Sequence, residues 1–94
     1  MNDRKRAAQA SVHGRVQGVR YRIWVRGEAA GLGLVGWVRN ERDGSVTAWL
    51  AGTDAAVSVM IERLRQGPQG ASVSRIDVEE IETWTAPGDF RIVA

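Results

Sequence analysis

The sequence predicts an α+β sandwich in which one mainly antiparallel sheet carries two helices on a single face. Three observations predict it. The spacing of apolar residues switches between the period of a strand and that of a helix, in the order strand, helix, strand, strand, helix, strand. Glycine or proline stands at most of the switches, at Gly14 and Gly18, Gly33, Gly44, and Gly67 with Pro68. Finally, 94 residues with 44% apolar and 26% charged side chains suit one ordinary folded domain.

Each element follows from its residues. Ala8, Ala10 and Val12 alternate with Gln9, Ser11 and His13, as in a strand with one buried face. The period breaks between Gly14 and Arg20, after which Tyr21, Val25, Ala29 and Leu32 share one face of a helix that Gly33 closes. Residues 34–39 read as a second strand, and Asn40, Glu41, Arg42, Asp43 and Gly44 carry a hairpin turn signal before Val46, Ala48 and Leu50 make a third. Thr53 is placed to cap a second helix with Asp54 in its first turn and Val57, Met60, Ile61 and Leu64 along one stripe; Gly67 and Pro68 end it. Residues 73–81 give a fourth strand through Ile76 and Val78, with a bulge expected where the phase slips at Glu79 and Glu80. Phe90 and Ile92 mark a short extra C-terminal strand. This βαββαβ order is the split βαβ pattern of a ferredoxin-like sandwich.

Composition narrows the chemistry. Without cysteine there is no disulfide, no thiolate zinc site and no cysteine nucleophile, and His13 as the sole histidine leaves no His-based metal site or ready triad. No metal and no cofactor is therefore expected. Thirteen Lys and Arg against 11 Asp and Glu leave a net charge of only +2, a weak field for nucleic acid. Arg4, Lys5 and Arg6 give residues 1–6 a basic, tail-like start without the apolar centre of a signal peptide, and no run reaches membrane-spanning length. The expectation is a flexible tail over 1–6, a single domain over 7–94, a cytoplasmic monomer, and no membrane or nucleic-acid partner.

The segment from Gly14 to Arg20 leads from a strand into a helix N-terminus, where free backbone N–H groups and aligned peptide dipoles favour an anion. Gly14 and Gly18 let the backbone curl closely, and Arg22 in the first helical turn can offer a forked grip on two oxygens. It is not a Walker loop, because the terminal Gly-Lys-Ser/Thr is missing. On these residues alone, a tight turn with a solvated arginine is the favoured reading, as is Asn40 as a simple turn residue.

The run Val12, His13, Gly14, Arg15, Val16, Gln17, Gly18, Val19, Arg20, Tyr21, Arg22 resembles the first signature of acylphosphatases. Gly36, Trp37, Val38, Arg39 and Asn40, followed by Gly44, Val46 and Gly52, resemble the second in type and spacing. The likeness continues into Ser74, Arg75, Ile76 and Asp77 and spans nearly the whole chain. It implies hydrolysis of a small acyl phosphate to a carboxylate and phosphate, with Arg22 binding phosphate, Asn40 orienting water, and the loop of Gly14, Arg15, Val16, Gln17, Gly18, Val19 and Arg20 supplying backbone N–H groups. Arg20 departs from the small, apolar or aromatic residue common there, and so bears on substrate preference.

Few catalytic groups are needed for such a reaction. Phosphoryl transfer runs through a loose transition state, where positioning and charge stabilisation do most of the work. The leaving carboxylate has a conjugate acid of pKa near ~4, so no general acid is required. With no candidate base, a phosphate oxygen of the substrate is expected to take the proton. The alternatives are a non-catalytic phosphate-sensing domain and an RNA-binding module of the same element order, although the basic-Gly-aromatic run of the latter is replaced by Thr47, Ala48, Trp49 and Leu50. His13 reads as a sheet-face residue, and Trp24, Trp37, Trp49 and Trp84 as core area.

Overall fold

A computed structural model of the chain describes residues 4–93. Its elements run β1 (Lys5–Arg15), α1 (Tyr21–Gly31), β2 (Val35–Asn40), β3 (Val46–Thr53), α2 (Asp54–Gln66), β4 (Ser72–Ile81) and β5 (Phe90–Ile92). The sheet order is β4-β1-β3-β2-β5, antiparallel except for the β2–β5 pair. This is the ferredoxin-like sandwich with its extra terminal strand. Among the described residues no helix is long and apolar enough to cross a membrane.

The core lies between the sheet and the two helices. Ala8, Ala10 and Val12 of β1, Val46, Ala48 and Leu50 of β3, and Val38 of β2 are fully buried there. Tyr21, Val25 and Ala29 meet them from α1, and Val57, Met60 and Leu64 from α2. Burying a side chain of the larger apolar kinds is worth roughly 1.5–3 kcal/mol. Gly36 admits the neighbouring strand closely: at φ 145° a Cβ there would overlap the Trp49 carbonyl and press on the Phe90 ring.

The caps are those the residue types favour. Thr53 Oγ1 accepts from the Ala56 N–H at 3.1 Å, and Asp54 sits at the positive end of α2. At the end of α1, Leu34 N–H reaches Ala29 O at 2.9 Å and Gly33 N–H reaches Ala30 O at 3.0 Å, the paired bonds of a Schellman motif.

Several expectations are corrected. Lys5 and Arg6 belong to β1 rather than to a tail, because Arg6 donates to both Glu80 carboxylate oxygens, at 2.9 and 2.6 Å, and to Ser58 Oγ at 2.8 Å. Residues 1–3, the rest of that tail, lie outside the described residues. Gln9↔Glu79 and Ala8↔Glu80 pair in unbroken register, so no bulge forms there. The register shifts instead between His13 and Gly14, where His13 pairs with Arg75 and Gly14 with Val73, leaving Ser74 as the extra residue. That insertion turns Val73 and Ile76, three apart in sequence, toward the same core.

The tryptophans are corrected too. Only Trp24, tilted against Tyr21 with ring centroids 5.4 Å apart, packs against the core. Trp37 and Trp49 alternate with the core residues of β2 and β3 and so stand half-buried on the opposite sheet face. There Trp84 meets Trp49 edge-on at 6.1 Å and the Arg39 guanidinium lies 4.8 Å over Trp37.

Candidate active site

At one end of the sheet, the β1–α1 loop and the β2–β3 turn come together. Tyr21 fixes the start of α1: its ring is buried and its hydroxyl donates to Leu64 O at 2.8 Å, with burial pushing the phenol well above its ordinary pKa. With Tyr21 and Val25 turned inward, the helical rotation of about 100° per residue carries Arg22 and Ile23 outward. Arg20, just before the helix, is the only described non-glycine residue at positive φ, with φ 62° and ψ 25°, and α1 has no side-chain cap. The first helical bond runs from Trp24 N–H to Arg20 O at 3.1 Å. The N–H groups of Tyr21, Arg22 and Ile23 precede it and have no acceptor inside the helix.

The turn is locked by its own polar groups. Asp43 accepts from Ser45 N–H at 2.9 Å and Ser45 Oγ–H at 2.6 Å, bonds that hold its carboxyl below the usual range. The Thr47 hydroxyl, followed by Arg39, holds Glu41 low as well. Gln17 joins loop to turn, its Nε2 donating to Glu41 O and Ser45 O, each at 2.8 Å. Asn40, the last residue of β2, stands beside this brace. Its Oδ1 is buried and is the one such side-chain atom among the described residues with no hydrogen-bond partner.

Between loop and turn lies a cavity of about 450 Å³. Gln17, Arg20, Arg22 and Asn40 supply polar groups to its lining, with Gly18, Val16, Tyr21, Ile23 and Ile92 as the remainder. No carboxylate is among these lining residues. Neither Arg20 nor Arg22 has an ion-pair partner among the described residues, whereas Arg6, Arg39, Arg63, Arg65, Arg75 and Arg91 each pair with an Asp or Glu.

Arg22 and Asn40, far apart in sequence, thus open into one cavity with Val16, Gln17, Gly18 and Arg20. Gly14, Arg15 and Val19 do not line it. Gly14 and Arg15 are still strand, paired with Val73 and Ser72, and Gly14 at φ 128° is where the Ser72 carbonyl comes too close for any Cβ. Val19 packs against the core. Sequence reasoning missed Ile23 and Ile92 as lining and Gln17 as the brace. Ile23 could have been found as the residue beside Arg22 on the outward helical face. His13 lies elsewhere, on the open sheet face, 3.4 Å from Asp77 and 3.3 Å from Arg75.

Known proteins resemble this chain over nearly its whole length. The family model described as Acylphosphatase matches residues 8–92. An acylphosphatase of Mesorhizobium japonicum is 88% identical over the full length of both chains, and one of Rhizobium etli is 55% identical over 98% of each. Among solved structures, the acylphosphatase of Bacillus subtilis superposes with a TM-score of 0.92 at 34% identity, over 95% of this chain and 99% of that one.

Proposed function

The chain belongs to the acylphosphatase family and hydrolyses acyl phosphates to a carboxylate and inorganic phosphate; within that activity, we propose that Arg22 binds the phosphoryl group and Asn40 orients the attacking water. The observation that carries the proposal is the buried, unpartnered Oδ1 of Asn40, a residue that lines the same cavity as Arg22, itself without an ion-pair partner among the described residues. A buried acceptor without a donor costs stability, and a water that donates to it would recover that cost while being held in place.

The guanidinium of Arg22 suits two equatorial phosphoryl oxygens, and the free N–H groups at the start of α1 favour the same charge. The water oxygen forms the new bond to phosphorus as the bond from phosphorus to the acyl oxygen breaks, and the electron pair leaves with the carboxylate. One water proton passes to a phosphoryl oxygen, so a dianionic acyl phosphate gives a carboxylate and dihydrogen phosphate. An amide acceptor orients water without deprotonating it, and none of the lining residues is a carboxylate that could serve as base. Loose transition states ask little more than this.

The same reading makes Val16, Gln17 and Gly18 the part of the loop nearest the phosphate, and needs no metal. A small charged substrate that does not cross membranes suits the cytoplasm. Benzoyl phosphate hydrolysed in excess chelator and ¹⁸O-labelled water tests it. Label in phosphate, with turnover unaffected by chelator, is expected; label in benzoate, or loss of turnover with chelator, would refute it.

A further inference from the structure

We infer that Arg20 selects acyl phosphates whose acyl part carries a second negative charge. The inference rests on the assignment of the phosphoryl group to Arg22 and the start of α1. One planar guanidinium and the neighbouring N–H groups suffice for a single phosphoryl group. The cavity is nevertheless lined by a second arginine, Arg20, with no carboxylate in the lining and no ion-pair partner for Arg20 among the described residues.

Position separates the two arginines. Arg22 projects from the first turn of α1, whereas Arg20 precedes the helix in a left-handed conformation that a long side chain adopts only against strain. Arg20 is exposed, so its charge stands toward the solvent side of the cavity. A volume of about 450 Å³ is that of a site for a whole small molecule rather than for phosphate alone. Ile23 and Ile92 give the rest of that space an apolar wall. The lining therefore matches a ligand with a phosphoryl group at Arg22, an apolar body against the isoleucines, and an anionic end at Arg20.

Two matched probes read this directly: 4-carboxybenzoyl phosphate and 4-methylbenzoyl phosphate, compared as the ratio of their kcat/KM values. The ratio cancels any loss that a variant inflicts on both substrates. Arg20→Asn keeps a residue tolerant of the left-handed conformation and removes the charge, while Arg20→Lys keeps the charge. The wild type is expected to favour the carboxylated probe by up to about fivefold, the size of one exposed charge contact. In Arg20→Asn that preference should vanish; in Arg20→Lys most of it should remain; and raising salt toward 1 M should erode it in the wild type, because the screening length falls to about 3 Å. Equal ratios in wild type and Arg20→Asn, with both probes turned over, would overturn the role of Arg20 and leave the assignment of Arg22 and Asn40 standing. Parallel losses for both probes in Arg20→Asn would place Arg20 on the phosphoryl group and also overturn it. Failure of the wild type on the carboxylated probe alone would overturn the role of Arg20, and failure on both probes would bring down both readings together.

Discussion

Arginine plays opposite parts at the two ends of the sheet. Arg6, near the start of β1, is enclosed by Glu80, Asp54 and Ser58, with hydrogen bonds as short as 2.6 Å. Arg20 and Arg22, at the other end, have no acidic neighbour in the cavity they line, and beside them Asn40 Oδ1 is buried without a partner. A side chain whose charge is already answered inside the protein serves the fold. One left unanswered in a cavity is available to a ligand, and the fold bears its cost.

The contrast breaks first, if it breaks, at Arg22. Arg22→Lys keeps the charge and loses the planar fork, so kcat/KM on benzoyl phosphate should fall by about 10³-fold, or ~4 kcal/mol, with little change in urea midpoint. A variant within threefold of wild type would remove the case for bidentate binding. At the β2–β3 contact the expected effect is on stability: Gly36→Ala, with its Cβ against the Trp49 carbonyl, should lose more than about 2 kcal/mol. Urea unfolding followed by tryptophan fluorescence measures this.

Smaller effects sharpen the comparison. Tyr21→Phe leaves the Leu64 carbonyl without its buried donor and should cost about 1–2 kcal/mol. Because burial raises the Tyr21 pKa, its contribution is fully present below the ordinary tyrosine value near 10 and is lost as pH rises past it. The wild type should therefore lose stability above pH ~10 more steeply than Tyr21→Phe, as thermal melts at pH 9 and 11 would show. Smallest of all is Glu80→Gln, at no more than about 1 kcal/mol, since the Arg6–Glu80 pair is partly exposed, with side-chain accessibilities of 23% and 55%. Arg6 holds the Glu80 carboxyl below its usual pKa, so this contribution is present above the ordinary Glu value and is lost as pH falls below it.

The helices were the most legible part of the sequence. Their apolar stripes and the Thr53 cap are local signals, and the structure realises them at Tyr21, Val25, Ala29, Val57, Met60 and Leu64. The sheet was legible in order but not in detail. Alternation along β2 and β3 separates two faces without saying which one the helices cover, so Trp37 and Trp49 were assigned to the core although they stand on the other face. A clue to the bulge was present in the odd spacing of Val73 and Ile76, yet it resolves only when the pairing with Val12 and Gly14 is known. Arg22 and Asn40 came from the family signatures, since each alone reads sooner as a turn or surface residue. The bracing by Gln17 and the arrival of Ile92 in the cavity depend on contacts across 24 or more residues of chain, which no local pattern encodes.

Asn40→Ala tests most directly whether the unanswered groups of the cavity carry the chemistry, with turnover of benzoyl phosphate and urea stability measured on the same preparation. Removing a buried acceptor that has no donor should leave stability unchanged or slightly higher, while turnover drops by at least about 10²-fold. Retained turnover, or a loss of stability as large as that of Tyr21→Phe, would show that Asn40 is a residue of the fold like Arg6 and not of the reaction.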